Sequence, residues 1–388
     1  MSILGAMINS PVELKLAYLS HILGPDFQSF KSFIEECNQK LLRNFRFIIK
    51  VIDIDRESVL PYLLSSGSSI DLMIITNFNV DRLSNYLHPV DEVINVKSFH
   101  NNVLEPISLD GKTYGIPLHV SFPVLIYDKA LVHAPPATWK DVFSLGRNFS
   151  KKCNPGSPTE YAIAVYSLHG RHSGIVFESI YSSLGGRVNY SPGQRLFNDK
   201  SCLEEALKTY ITLLNDGLIF PDSPYFEYSS LNQAFDGGLF PMMIQWNIGV
   251  FHLLKSSNKA LGVAPIPSKS GSEPVCVGYV HAIGVSKNSK KLELALKFLE
   301  YAQSSEFCRG FAQIGGFPPL QHINFESTPL LSELRIFSNH FRGCFSGNQA
   351  NELYEMISLY LDGFLKGNLT IERAVESLSM IKIPKKYI

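Results

Sequence analysis

The chain has no excess of charge, with 35 Lys and Arg against 35 Asp and Glu. It therefore lacks the one-signed field that gathers nucleic acid or an anionic membrane surface, and no nucleic-acid partner is expected. No stretch reaches the ~18 consecutive apolar residues that span a bilayer. The six cysteines (Cys37, Cys153, Cys202, Cys276, Cys308, Cys344) form no C-x-x-C pair and no Cys/His ligand spacing. They are also too sparse for a disulfide scaffold, so free thiols, no metal and no cofactor are expected. Such thiols suit a reducing compartment slightly better than an exported one. Residues 1–10 (MSILGAMINS) have no basic n-region, and their apolar run is too short for a secretory core. The protein is thus periplasmic or extracellular if an export signal has been removed, and cytoplasmic otherwise.

Catalytic signatures are missing as well. The segment 170–174 (GRHSG) lacks the nucleophile-elbow spacing, and the glycine pairs at 185–186 and 315–316 are isolated rather than phosphate-cradling. The carboxylate pairs at 35–36 and 204–205 fall on solvated helix faces. An enzyme is not expected.

What remains is an ordinary globular composition, 45% hydrophobic and 12% aromatic, over 388 residues. That length fits two domains, each able to bury a core of its own. Residues 12–19 (VELKLAYL), 47–54 (FIIKVIDI) and 70–76 (IDLMIIT) predict strands, the last apolar throughout, as a sheet covered on both faces requires. Between the first two, Phe27, Phe30, Ile34, Cys37 and Leu41 repeat at helical spacing, and residues 59–64 predict a short helical turn. Strand–helix alternation is the pattern of a doubly wound α/β lobe. Further strands are expected at 122–127, 242–245 and 281–285, and helices around 174–184, 203–215, 230–235, 292–302 and 352–365. Thr138 and Asp141 predict a capping box, and Thr370 an N-cap for the last helix.

Four stretches carry a resemblance. The segment from Leu109 through the capping box (LDGKTYGIPLHVSFPVLIYDKALVHAPPATWKD) is similar to a GK-x-YG-x-P…L-x-YNK…TW-x-E pattern. Residues 234–248 (AFDGGLFPMMIQWNI), 261–289 (LGVAPIPSKSGSEPVCVGYVHAIGVSKNS) and 296–319 (LKFLEYAQSSEFCRGFAQIGGFPP) follow it in order. Together they resemble the type 1 extracellular solute-binding proteins, the maltodextrin and multiple-sugar receptors of ATP-driven (ABC) importers. The resemblance covers essentially the whole chain. It implies a periplasmic-binding-protein-like α/β fold whose two discontinuous lobes are joined by crossing hinge segments. Carried onto this chain, lobe 1 comprises 1–118 plus 268–318, and lobe 2 comprises 119–267 plus 319–388. The crossings fall near 117–122, within 265–274 and near 315–320, all rich in Gly or Pro.

A sugar needs flat apolar surface and bidentate polar groups. Loops after the expected strands offer His21, Asn77, Phe78, His119, Ser121, His169, Arg171, Trp246, Asn247, Tyr279, His281 and Phe317 as ligand-binding candidates. For each the competing role is packing: Trp246 in a core, Asn77 and Phe78 in a turn, Phe317 against a hinge. Many receptors of this family carry an Asp or Glu in the segment occupied here by 119–121. Its absence, together with His21, His119, His169, His172, His281 and Arg171, points toward an acidic or phosphorylated sugar held by charge-assisted bonds. The expected function is the substrate-binding component of an ABC importer. The chain would be a monomer that takes a sugar or sugar-derived solute and docks on the permease transmembrane subunits. A cytoplasmic ligand sensor and an enzyme on the same scaffold are the alternatives.

Overall fold

The computed structural model describes residues 10–19, 24–54, 57–67, 69–99, 101–166, 170–222, 225–269, 273–321, 329–347 and 349–385. Two sheets organise these residues. The first contains β1 (Val12–Tyr18), β2 (Phe47–Asp53), β3 (Leu72–Thr76), β4 (Leu87–His88), β7 (Ile116–Ser121), β12 (Cys276–Ser286) and β13 (Phe341–Gly343). The second contains β8 (Pro123–Asp128), β9 (Ile163–Val165), β10 (Met242–Trp246) and β11 (Leu261–Ala264). A short hairpin, β5 (Ser108–Leu109) with β6 (Lys112–Thr113), precedes β7. This is the expected two-lobed α/β architecture, with each sheet of mixed direction.

In the first sheet β1 lies parallel to β2 and β3, while β12 runs antiparallel to β3 and β7. In the second, β10 is antiparallel to β8 and parallel to β9. β3, β7, β8, β10 and β12 are buried along their whole length. Their near-continuous Val, Ile, Leu and Met content follows from having both faces covered.

Local chemistry sets the helix ends. The Asp26 carboxylate accepts from Ser29 N–H at 2.8 Å and opens the helix Phe27–Phe45. Phe30, Phe33, Ile34, Cys37 and Leu41 form its buried face. Phe27, expected on that face, is only half-buried. The Thr138/Asp141 capping box is formed in both directions, at 3.2 and 3.0 Å, and starts the helix Trp139–Gly146. Thr370 caps the helix Ile371–Met380. All six thiols are free, and only that of Cys153 is exposed.

One connection between the two sheets is very short. Residues 117–122 were expected as a crossing, yet 116–121 form β7 of the first sheet and 123–128 form β8 of the second. Only Phe122 lies between them. Its fully buried ring packs edge-on to Phe317, at 5.9 Å, and against Phe341 at 6.3 Å. Gly278 passes this junction so closely that a Cβ there would stand 2.0 Å from the Ser121 carbonyl oxygen. Glycine is required at that crossing for steric reasons.

Candidate functional site

The amide of Asn247 joins the second sheet to the turn between β7 and β8. Its Oδ1 accepts from Phe122 N–H at 3.2 Å, and its Nδ2 donates to the Val120 carbonyl at 3.0 Å. Both ends of the side chain are committed to backbone. His119 is bound equally tightly. Phe317 N–H donates to its Nδ1 at 2.8 Å, so Nε2 carries the proton and donates to Ser121 Oγ at 2.9 Å. Val120 N–H donates in turn to the Phe317 carbonyl at 3.1 Å. Asn77, at the end of β3, accepts from Val280 N–H at 3.2 Å and donates to Ser346 Oγ at 3.3 Å. These contacts tie Asn77, His119, Ser121, Asn247 and Phe317 to the backbone and side chains around the passage from β7 to β8. Sequence position alone had placed them on the ligand-facing loops.

A second group of candidates forms one aromatic cluster where the lobes meet. Tyr279 on β12 is its centre, with Trp246 at 5.1 Å, Phe78 at 5.3 Å and His281 at 5.1 Å between ring centroids. His172, near the start of the helix Arg171–Ser183, lies 5.3 Å from Trp246 and parallel to Tyr279 at 6.4 Å. Tyr166 closes the group at 6.1 Å from His172. Phe78 comes from the end of β3, and Trp246 and His172 come from the second lobe, so the cluster spans the junction. The Arg171 guanidinium sits 4.3 Å above the Phe78 ring and donates to Asn351 Oδ1 at 3.0 Å. His21 and His169 lie outside the described residues.

The electrostatics run against an anion site built on imidazolium. Burial pushes His119 down to about 3. His172 is also lowered, by burial and then by the neighbouring Arg171. Both rings are therefore neutral near pH 7 and bring no positive charge to the junction. Among the described residues no group of three or more His, Cys, Asp or Glu could hold a metal ion. No described helix is long and apolar enough to cross a membrane.

One polar network at the junction has no legible signal in the sequence. Glu178, fully buried, accepts from Arg342 Nη2 at 3.0 Å, from Tyr354 Oη at 2.7 Å and from the Tyr190 hydroxyl. Arg342 lies on β13 at the edge of the first sheet, so the pair ties that sheet to the helix Arg171–Ser183. Burial raises the Glu178 pKa against the opposing pull of Arg342 and the two phenols. A cavity of about 790 Å³ opens beside the network, lined among others by Asp81, Glu105, Tyr190, Arg342 and Phe345. Its volume is that of a small-molecule site. A groove of about 740 Å³ lies elsewhere, on the outer face of the first lobe between the helices Phe27–Phe45 and Ser305–Gln313.

Comparison with known proteins agrees with this architecture. A binding protein of Brucella abortus is 26% identical over 322 residues, 80% of this chain and 76% of that one. The maltodextrin-binding protein of Bacillus subtilis is 26% identical over 297 residues, 71% of this chain and 67% of that one. The crystal structure of the cyclic α-maltosyl-1,6-maltose binding protein from Arthrobacter globiformis superposes with a TM-score of 0.80 at 17% identity. The match covers 96% of this chain and 98% of that one, and shows a shared fold. The family model described as bacterial extracellular solute-binding protein matches residues 60–307, and the chain belongs to that family.

Proposed function

We propose that this protein is the sugar-binding component of an ABC importer. In this reading it works outside the cytoplasmic membrane as a monomer and presents its closed form to permease subunits. The ligand is a neutral glucose oligomer rather than an acidic or phosphorylated sugar. The observation that carries this reading is the cluster of Phe78, Tyr166, His172, Trp246 and Tyr279 across the lobe junction. It combines aromatic faces with neutral polar tips, which suits the alternating apolar and hydroxyl surfaces of a pyranose. The neutral histidines support an uncharged ligand. The one guanidinium at the cluster, that of Arg171, is stacked on Phe78. The Bacillus subtilis relative, which is a maltodextrin-binding protein, supports the same class.

In this reading the lobes are 1–118 plus 268–318 and 119–267 plus 319–388, except that residues 119–121 and 341–343 complete the first sheet, and they hinge at Phe122 and its neighbours. A ligand that swings a two-state equilibrium from open to closed must favour the closed form by roughly 5.5 kcal/mol, so both lobes must touch it. This reading gives that contact to Arg171, Trp246, Phe78 and Tyr279, which is supported by their meeting across the two sheets. Calorimetric titration with maltose, maltotriose and maltotetraose tests the ligand, and X-ray scattering with and without sugar tests the closure. Binding with a fall in the radius of gyration is the expected result. Failure to bind any of these, with binding of a sugar phosphate or sugar acid instead, would overturn the ligand assignment.

A further inference from the structure

Close to Trp246, the second lobe holds several polar atoms that the rest of the described structure leaves unanswered. The Gln245 amide nitrogen, both polar atoms of Asn232, the Tyr228 hydroxyl and the Trp246 indole N–H are buried without a hydrogen bond of good geometry. Burial, then Tyr279 and Tyr166, push the Tyr228 pKa well up, and a poorly aligned side-chain hydrogen bond with Asn232 pulls it back. Tyr228 therefore faces the aromatic cluster.

These side chains come from the helix Tyr228–Asp236 and from β10, and one position in a third element draws them together. Gly249 lies in the helix Ile248–Ser256. A Cβ there would stand 2.8 Å from Gln245 Cγ, 3.3 Å from Tyr228 Oη and 3.5 Å from Asn232 Oδ1. The missing side chain is what lets these three side chains close in on that helix. Buried amides without partners are costly, and native folds rarely gather several in one place. At the hinge a few residues away, Asn77 and Asn247 have both ends of their amides bonded.

We infer that Tyr228, Asn232 and Gln245, spaced by Gly249, form a hydroxyl-reading recess that sets the specificity of the ligand site beside Trp246. The donor and acceptor inventory selects the ligand class. Gln245 Oε1 already accepts from Trp246 N–H at 3.0 Å, so its amide nitrogen is the group on offer. Asn232 offers a donor and an acceptor, and the Tyr228 hydroxyl serves as either. Vicinal hydroxyls satisfy such a set, because each gives one hydrogen bond and takes another. A carboxylate or phosphate only accepts, and would leave the Asn232 carbonyl oxygen unmatched. The ligand portion read here is thus a neutral polyhydroxylated ring, an inference that rests on the sugar-binding reading above.

The test compares wild type with Asn232→Leu, Gln245→Leu and Gly249→Ala. Each is titrated calorimetrically with maltose, maltotriose, sucrose, trehalose and raffinose, and melted without ligand. The wild type is expected to bind at least one of these. Each variant is expected to lose tenfold or more in affinity for that sugar. Asn232→Leu and Gln245→Leu are expected to keep an unliganded melting temperature equal to or above wild type, whereas Gly249→Ala, whose Cβ would crowd Gln245 Cγ at 2.8 Å, is read by its affinity alone. Variants in three different elements keep the test intact if one fails to fold. Wild-type affinity in the folded variants overturns the recess and leaves the sugar-binding reading standing. Lowered melting temperatures with unchanged affinity identify a purely structural set and also overturn it. A wild type that binds none of the five sugars overturns both readings.

Discussion

The hinge and the second-lobe wall are built from the same kinds of residue, yet their polar atoms have different fates. At the hinge, Asn247, His119 and Asn77 have every side-chain polar group bonded, largely to backbone across the crossing. At the wall, Asn232, Gln245, Tyr228 and Trp246 keep buried polar atoms in reserve. A saturated buried amide fixes geometry, because removing it strands its partners. An unsaturated one costs the free protein stability, a cost relieved when a ligand supplies the missing partner. Burial alone does not separate the two roles, since Asn247 and Gln245 are both fully buried. The hydrogen-bond ledger does.

The largest effect that would sharpen this comparison is a pH dependence centred on His119. Its folded pKa is near 3 against an ordinary 6.5, so between those values the unfolded chain holds the extra proton. Stability is therefore full above about pH 6.5 and falls as the pH drops toward 3. The limit is roughly 4–5 kcal/mol, at 1.36 kcal/mol per unit. Urea unfolding across that range should show the slope in wild type and a flatter one in His119→Gln. Equal slopes would remove His119 from the hinge account.

Next in size is Asn247→Ala, which strands Phe122 N–H and the Val120 carbonyl at the crossing. With each buried group worth about 1–3 kcal/mol, a loss of about 2–4 kcal/mol is expected by chemical denaturation. A loss below 1 kcal/mol would mean that water or a shifted backbone repairs the crossing.

On the wall the expected pattern reverses. Trp246→Phe keeps a ring and deletes the unpaired indole N–H, so the loss of unliganded stability should be confined to the buried volume removed, about 1–2 kcal/mol. Sugar affinity should fall several-fold in calorimetry. A large drop in stability with unchanged affinity would move Trp246 to the structural side. The smallest effect is that of Arg171→Gln, which removes the cation over Phe78. It should cost the closed state about 0.5–1 kcal/mol, read as a modest weakening of ligand affinity.

Several features needed no tertiary structure. Strand–helix alternation over residues 12–76 forecast the first lobe, because the two-residue and 3.6-residue periods are local consequences of backbone geometry. Caps at Thr138 and Thr370 were equally legible, since a cap is a contact between residues three apart. Other elements were missed for physical reasons. Residues 116–121 contain Pro117 and follow a Gly-rich turn, so they suggested a crossing. Only pairing with β12 makes them a strand. The helix Ile248–Ser256 begins two residues after Trp246 and was not anticipated, because it opens without a side-chain cap. Tyr228 and Asn232 drew no notice, lying in a segment whose apolar spacing announced only a helix.

The sequence by itself determined the two-lobed α/β class, several helix caps, the balanced charge, the lack of a disulfide framework and the family resemblance. All of these depend on composition or on neighbours a few residues apart. Tertiary structure decided which polar residues are spent and which are left over. Asn247 finds its partners 125 and 127 positions away, and His119 meets Phe317 198 positions away. Glu178 meets Arg342 164 positions away. No local pattern encodes such distances, because the two folded sheets alone bring those atoms within 3 Å or so of one another. Two of the five histidines that suggested an anionic ligand, His119 and His172, illustrate the point: burial lowers their pKa, and burial is a property of the fold.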